Sequence, residues 1–363
     1  MLKPNENIQK ILISTTSRFK GEYETENLLI THSWIFNDSV HLDLNSSENP
    51  YCRNYFTIVV KTPELKRNRN FFVYPNYKYI GDIICIILSI FYGKRFDNHG
   101  MIETHGNFSI PNLNQINPIR YTKIGINNHK PRKDIDIELK LDKLKKINRL
   151  LVGDVENEKV LNTLLTAGNF YLKAIQDFEE DPNIAYLNLI NSGEVLSNFY
   201  NYSENALFDE NLKEILRQIE EGLDEGSKIS KQIKSRLYQV RSKYSLTLTN
   251  LLNEGFFNYE GSNHVFALKQ KNIQKNIKAS YDIRSLYLHE GISFGQHIQH
   301  HDNHLNELII GEPLVEQKRL RKLLKRTPTF IGLERIIRYC LLRFIHLELT
   351  VVDEKLNEQP NSR

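Results

Sequence analysis

Hydrophobic and polar positions along this 363-residue chain follow two different rhythms. Up to about residue 150 they alternate, with aromatic and β-branched side chains common and Asn, Pro and Gly punctuating the runs. That two-residue period predicts strands at 32–44 (HSWIFNDSVHLDL), 54–62 (NYFTIVVKT), 69–75 (RNFFVYP) and 133–141 (KDIDIELKL). The apolar run IICIILSIFY at 83–92, closed by Gly93, reads as a helix, although period alone does not separate it from a buried strand. The Asn-, Pro- and Gly-bearing stretch 97–118 reads as loop.

From about residue 151 the period becomes 3.6. Val160, Leu164, Ala167, Tyr171, Ile175 and Phe178 form one stripe. Asp181-Pro182 then predicts a fresh helix, the carboxylate as cap and the proline at the first position, with Ala185, Leu189, Leu196 and Phe199 on its inner face. A single long helix is predicted through Ile229, Ile233, Leu237, Val240, Tyr244, Leu248 and Leu251, with further helices at about 264–290 and 329–350. The chain therefore reads as α+β: a β-rich N-terminal module over 1–150 followed by an all-α bundle over 151–363.

Composition narrows this picture only a little. Charged residues make up 25% and the net charge is +4, ordinary for a globular protein. Cys52, Cys85 and Cys340 lie far apart and form no CxxC pair, which suits a reducing cytoplasm. MLKPNENIQK lacks the apolar stretch of a signal peptide, and 83–92 is too short to span a bilayer, so a cytoplasmic chain with no membrane contact is expected. No phosphate-binding glycine loop or nucleophile elbow occurs in the first half.

Candidate chemistry concentrates at YDIRSLYLHEG, residues 281–291, where Arg284 and His289 stand five apart just before a glycine. Five residues on a straight helix turn 500°, so the two side chains diverge by about 140°. They converge only if the helix ends near Gly291 and the long arginine wraps, or if a second chain contributes. A histidine titrates near neutrality and exchanges protons with oxygen; an arginine offers fixed paired donors to phosphate oxygens. The competing structural reading pairs Arg284 with Glu194 or Asp282 and leaves His289 as a cation at a helix C-terminus.

YDIRSLYLHEG resembles the signature helix of the HEPN superfamily, Arg and His separated by a short spacer, and is closest to its ApeA-like group. FYLKAIQDFEEDPNIAYLNLINSGEVLSNFY (170–200) resembles the first helices of that group, including the acidic residue at Glu194, so the resemblance covers roughly 155–350. SIFYGKRFDNHG (89–100) extends it weakly into the first half. Glu290 stands where the family often carries the first of two small residues. The resemblance implies a helical HEPN domain, a homodimer and a metal-independent endoribonuclease of antiviral defence or toxin type. It needs no cofactor and acts on RNA; the two-module architecture, rather than the resemblance, adds the expectation of a phage-derived or small-molecule trigger. Arg284 and His289 would be its catalytic pair, with Glu194, Asp282, Ser285, Tyr287 and Glu290 in support. The alternative is a non-catalytic HEPN module that dimerises or binds RNA.

Two further clusters carry weaker signals. HIQHHDNH places His297 with His301, and His300 with His304, at i,i+4 beside Asp302, a metal-ligand spacing. Without an HExxH glutamate, and with glycines before it, a solvated loop is the expectation and no metal is assigned. KRLRKLLKR (318–326) sets Lys318, Arg319, Arg321, Lys322, Lys325 and Arg326 among leucines. It reads either as an amphipathic helix with solvated charges or as a strip that contacts RNA phosphates. KPRK (130–133) and KKINR (145–149) read as linker or surface, and the first half as a sensor holding the second inactive.

Overall fold

The computed structural model describes residues 6–33, 53–64, 75–111, 124–237, 239–259, 265–295, 298, 306–309 and 311–349. The architecture is α+β. Six strands, β1 (Glu6–Thr15), β2 (Tyr23–Glu24), β3 (Leu28–His32), β4 (Asn54–Pro63), β5 (Phe96–Thr104) and β6 (Asn107–Phe108), form one antiparallel sheet in the order β2-β3-β4-β1-β5-β6. Helix α1 (Lys78–Tyr92) packs on it, confirming the helical reading of the 83–92 run. Gly93 closes α1 in the left-handed region (φ 64°).

The remaining helices are α2 (Asn148–Leu151), α3 (Glu158–Asp177), α4 (Pro182–Phe199), α5 (Glu204–Leu207), α6 (Glu210–Gly222), α7 (Gly226–Arg236), α8 (Val240–Leu251), α9 (Glu254–Phe257), α10 (Ile273–Glu290), α11 (Lys318–Leu324) and α12 (Phe330–Glu348). The predicted stripe of α3 is buried along its length. Asp181 caps α4 by accepting from the Ile184 amide at 3.0 Å, with Pro182 in the first turn as expected. One hydrophobic core runs from the sheet through α1, α3, α4, α8, α10 and α12. The approach of α3 to α1 is so close that a Cβ on Gly168 would meet Ile86 Cγ2 at 2.5 Å. Among the described residues no helix is long and apolar enough to cross a membrane.

Four expectations need correction. Residues 97–104 are strand, not loop: Gly100 sits at φ 90° beside register shifts in the β1–β5 pairing, so the glycine marks an irregular strand. Polar side chains of β5 find partners nearby, Asp97 with Arg53 just ahead of β4, and His99 with Ser14 and Glu103 with Lys10 on the neighbouring β1. The segment 133–141 joins no strand. It makes one isolated bridge, Lys20 to Lys140, and sends Leu139 and Leu141 into the core. The predicted long helix through 229–251 breaks between α7 and α8, where Gln239 takes φ 44°, because α7 packs on α6 whereas α8 packs on α4 and α10. KPRK is not all surface, since Arg132 is buried. The predicted strands at 32–44 and 69–75 lie outside the described residues except for His32, Ser33 and Pro75.

Arg132 anchors a buried ionic network that ties the loop after the sheet to α12. Its Nη1 and Nη2 donate to the two carboxylate oxygens of Glu334 at 2.8 and 2.7 Å, and its Nε donates to Asp134 at 3.0 Å. Tyr171 on α3 donates to the same Glu334 carboxylate at 2.6 Å. Arg338, fully buried one turn further along α12, donates to the Ile90 and Phe91 carbonyls at 3.0 and 2.8 Å, the electronegative C-terminal end of α1. Beneath them the buried Lys94 ammonium reaches the carbonyls of Gly125, Asn128 and Lys130 at 2.6, 3.0 and 2.5 Å, which shapes the loop that presents Arg132.

Removing one partner of a buried pair strands the other charge. E334A should therefore cost about 3–5 kcal/mol, read as a lower denaturant midpoint, whereas E138A at an exposed pair should leave the midpoint unchanged. Acid should act through the same groups. Burial works against the Asp134 carboxylate, but the Arg132, Arg338 and Arg335 guanidiniums outweigh it; at Asp97, Arg95 and Arg53 do the same, so both carboxyls are held below their usual range. The folded state then binds fewer protons than the unfolded one. This contribution to stability should be complete above the unfolded carboxyl pKa of about 4 and should fall as pH drops further, as an acid titration of the melting midpoint would report.

Candidate active site

The Arg284–His289 motif lies on α10, which is helical through both residues. Ile273, Asn276, Ile277, Ser280 and Ile283 recur at helical spacing and bury one face. The helix ends as the sequence suggests: Gly291 takes the left-handed conformation (φ 66°) and its amide bonds the Leu286 carbonyl. His289 is in the last turn and exposed, and among the described residues it has no hydrogen-bond partner.

Arg284 faces the other way. Its Nη2 lies 3.3 Å from the Glu194 carboxylate on α4, its Nη1 donates to the Tyr281 hydroxyl at 3.3 Å, and its guanidinium sits 5.2 Å from that ring. Burial pushes the Tyr281 hydroxyl up, assisted by Glu194 and opposed by Arg284. Glu194 thus faces Arg284, as either reading of that residue requires. The single chain does not bring Arg284 and His289 together, since an uninterrupted helix separates them by five residues.

The supporting residues divide between two sides. Asp282 is taken by Arg241 of α8 at 2.5 and 2.6 Å and does not orient the pair. Tyr287 stacks on Phe294, centroids 4.6 Å apart and planes 19° apart, and Phe294 in turn meets Tyr186 at 5.2 Å. That stack pins the chain after α10 against α4. Ser285 and Glu290 line a groove of about 630 Å³ between α10 and α11.

This groove is the strongest electrostatic feature near the motif. Arg241, Lys275 and Lys278 line one side and Arg319, Lys322 and Arg326 the other, six cations against the carboxylates of Asp282 and Glu290. The KRLRKLLKR run is therefore split: Arg319, Lys322 and Arg326 face the groove. Arg321 instead donates twice to the Val315 carbonyl at 3.0 and 2.7 Å, Lys325 pairs with Glu312 at the surface, and Lys318 is exposed outside the lining. Lys275, Lys278, Asp282 and Ser285 escaped notice in the sequence as one stripe, although their spacing of three, four and three residues places them on one helix face. The histidine cluster His297, His300, His301 and His304 lies outside the described residues, as does Asp302.

No family model, curated protein or solved structure matches this chain.

The two arginine roles within the basic run separate by stability. R321A should lower the unfolding midpoint by the loss of charged hydrogen bonds to Val315, about 1.5–3 kcal/mol, because that carbonyl loses both donors. R319A should leave the midpoint where it is, and equilibrium denaturation of the two variants distinguishes them.

Proposed function

We propose that the chain is a metal-independent endoribonuclease of the HEPN type, working as a homodimer in antiviral defence or as a toxin. What supports it is an exposed histidine at the tip of α10, without a hydrogen-bond partner among the described residues, immediately beside a groove lined by six cations. A cationic groove holds a phosphate backbone without reading bases. RNA supplies its own nucleophile: the ribose 2′ oxygen forms a bond to phosphorus as the bond from phosphorus to the 5′ oxygen breaks, leaving a 2′,3′-cyclic phosphate and a 5′-hydroxyl. His289 takes the 2′-hydroxyl proton or returns one to the departing oxygen. Arg284 supplies paired donors to the non-bridging oxygens as charge builds on them.

Two features define what activation would have to do. Arg284 must exchange Glu194 for a phosphate, and a second chain must supply the histidine its own helix turns away. The sheet module, clamped to α12 through Arg132, is suited to a sensor whose trigger is phage-derived or a small molecule. The separation of Arg284 from His289 favours a second reading, a non-catalytic module that dimerises or binds RNA. Cleavage distinguishes the two.

With a labelled RNA pool in excess EDTA, the wild type should cut and H289A should be slower by about 10²–10⁴-fold with RNA affinity unchanged. K278E/K322E should weaken binding to all sequences and reduce the salt dependence by roughly two counterions. Activity abolished by EDTA, or equal in H289A, would contradict the proposal. RNA binding retained by the wild type and H289A, with neither cutting in the presence of the trigger, would favour the non-catalytic module.

A further inference from the structure

A cavity of about 1020 Å³ opens where the sheet module meets the helical half, between the start of α1, the start of β5 and the last turns of α3. Arg95 lines it with a side chain only 8% exposed. Its guanidinium is held by one edge, where Nε donates to the Asp97 carboxylate at 3.1 Å. That carboxylate is already shared, since it also accepts from Arg53 at 2.5 Å and from the Gln176 side chain of α3 at 3.2 Å. Nη1 and Nη2 of Arg95 have no hydrogen-bond partner among the described residues. Buried polar groups are normally bonded, so a buried guanidinium with both terminal nitrogens unused beside a cavity points to an anionic group that takes them in parallel.

The opposite wall narrows what that anion is. Asp177, at the end of α3, lines the same cavity, and its carboxylate also has no hydrogen-bond partner among the described residues. Burial pushes its carboxyl above the ordinary value, opposed by Lys173 and Arg95, so this carboxylate is short of compensating charge. Across the whole lining three lysine and arginine side chains meet four carboxylates, a balance that repels a polyanion. Cys85, Met101 and Leu172 add an apolar stretch between the charged groups. We propose that the cavity binds a small zwitterion, an amino acid or short peptide, with its carboxylate on Arg95 and its ammonium on Asp177. Such a ligand bridges β5 and α3, one element from each half of the chain. Binding stands on the cavity alone and does not depend on ribonuclease activity; only its use as the trigger site rests on the proposed function.

Calorimetric titration and thermal melting of the full chain test it, with the standard amino acids and a set of neutral dipeptides as probes, each at up to about 10 mM. At least one probe should bind one site per chain and raise the melting midpoint. Its carboxamide and its N-acetyl derivative, each lacking one charge, should bind about 10-fold more weakly or worse. D177N should lose about 10-fold or more in affinity for the zwitterion, with the unliganded melting midpoint unchanged. R95K keeps the charge but not the paired donors, and should weaken the zwitterion while leaving the carboxamide as in wild type. Nucleoside monophosphates should bind more weakly than the best zwitterion. If no probe binds the wild type, the proposal is overturned. Preference for a nucleoside monophosphate would overturn it too, by making this a phosphate site, as would D177N and R95K proteins that bind the zwitterion as tightly as wild type.

Discussion

A carboxylate and a guanidinium buried together, Glu334 and Arg132, determine how the two halves of this chain meet. Either charge alone in the interior would be costly, so the loop from Gly125 to Asp134, the end of α1, the middle of α3 and the first turns of α12 must all be in place at once. Arg338 adds a second tie by capping α1 with its guanidinium. The room for it is made at Gly93, where a Cβ would lie 2.5 Å from its Nε. Backbone conformation at one glycine and charge pairing about two turns into another element are thus the same constraint.

From that clamp the geometry passes outward to α10. Helix α12 packs on α3, α4 and α8, and α8 and α4 together hold the inner face of α10. Glu194 on α4 and Arg241 on α8 then each take one charged residue of the motif helix, Arg284 and Asp282, leaving His289 to the solvent at the capped end. The basic groove arises because α11 lies alongside, tied to α10 by the Asn276 side chain donating to the Arg326 carbonyl at 2.7 Å.

Much of the helical half was legible in the sequence because its signals are local. The apolar stripe of α3, the Asp181-Pro182 start of α4 and the Gly291 stop of α10 each depend on neighbours within a turn or two. What escaped depends on distant partners. Gly100 looks like a loop residue until β1 lies beside it. Apolar spacing runs smoothly from Ile229 to Leu251, and only the separate docking of α7 and α8 requires a break. Arg132 looks like surface charge because Glu334, the carboxylate that takes both its terminal nitrogens, is 202 residues away. The candidate site divides the same way: Arg284, His289 and half the basic strip were visible as motifs, whereas the lysines of α10 became a groove wall only once α11 was set against them.

Strand chemistry at the scissile phosphate is the most direct probe of this account. Matched oligonucleotides, one all-ribose and one carrying 2′-deoxyribose throughout, should be compared for cleavage by the full chain in excess EDTA. If the 2′ oxygen is the nucleophile, the ribose strand is cut to 2′,3′-cyclic phosphate ends and the deoxyribose strand is bound but left intact. Equal cleavage of both strands would contradict it, because the attacking oxygen would then come from water and the roles given to His289 and Arg284 would fall with it.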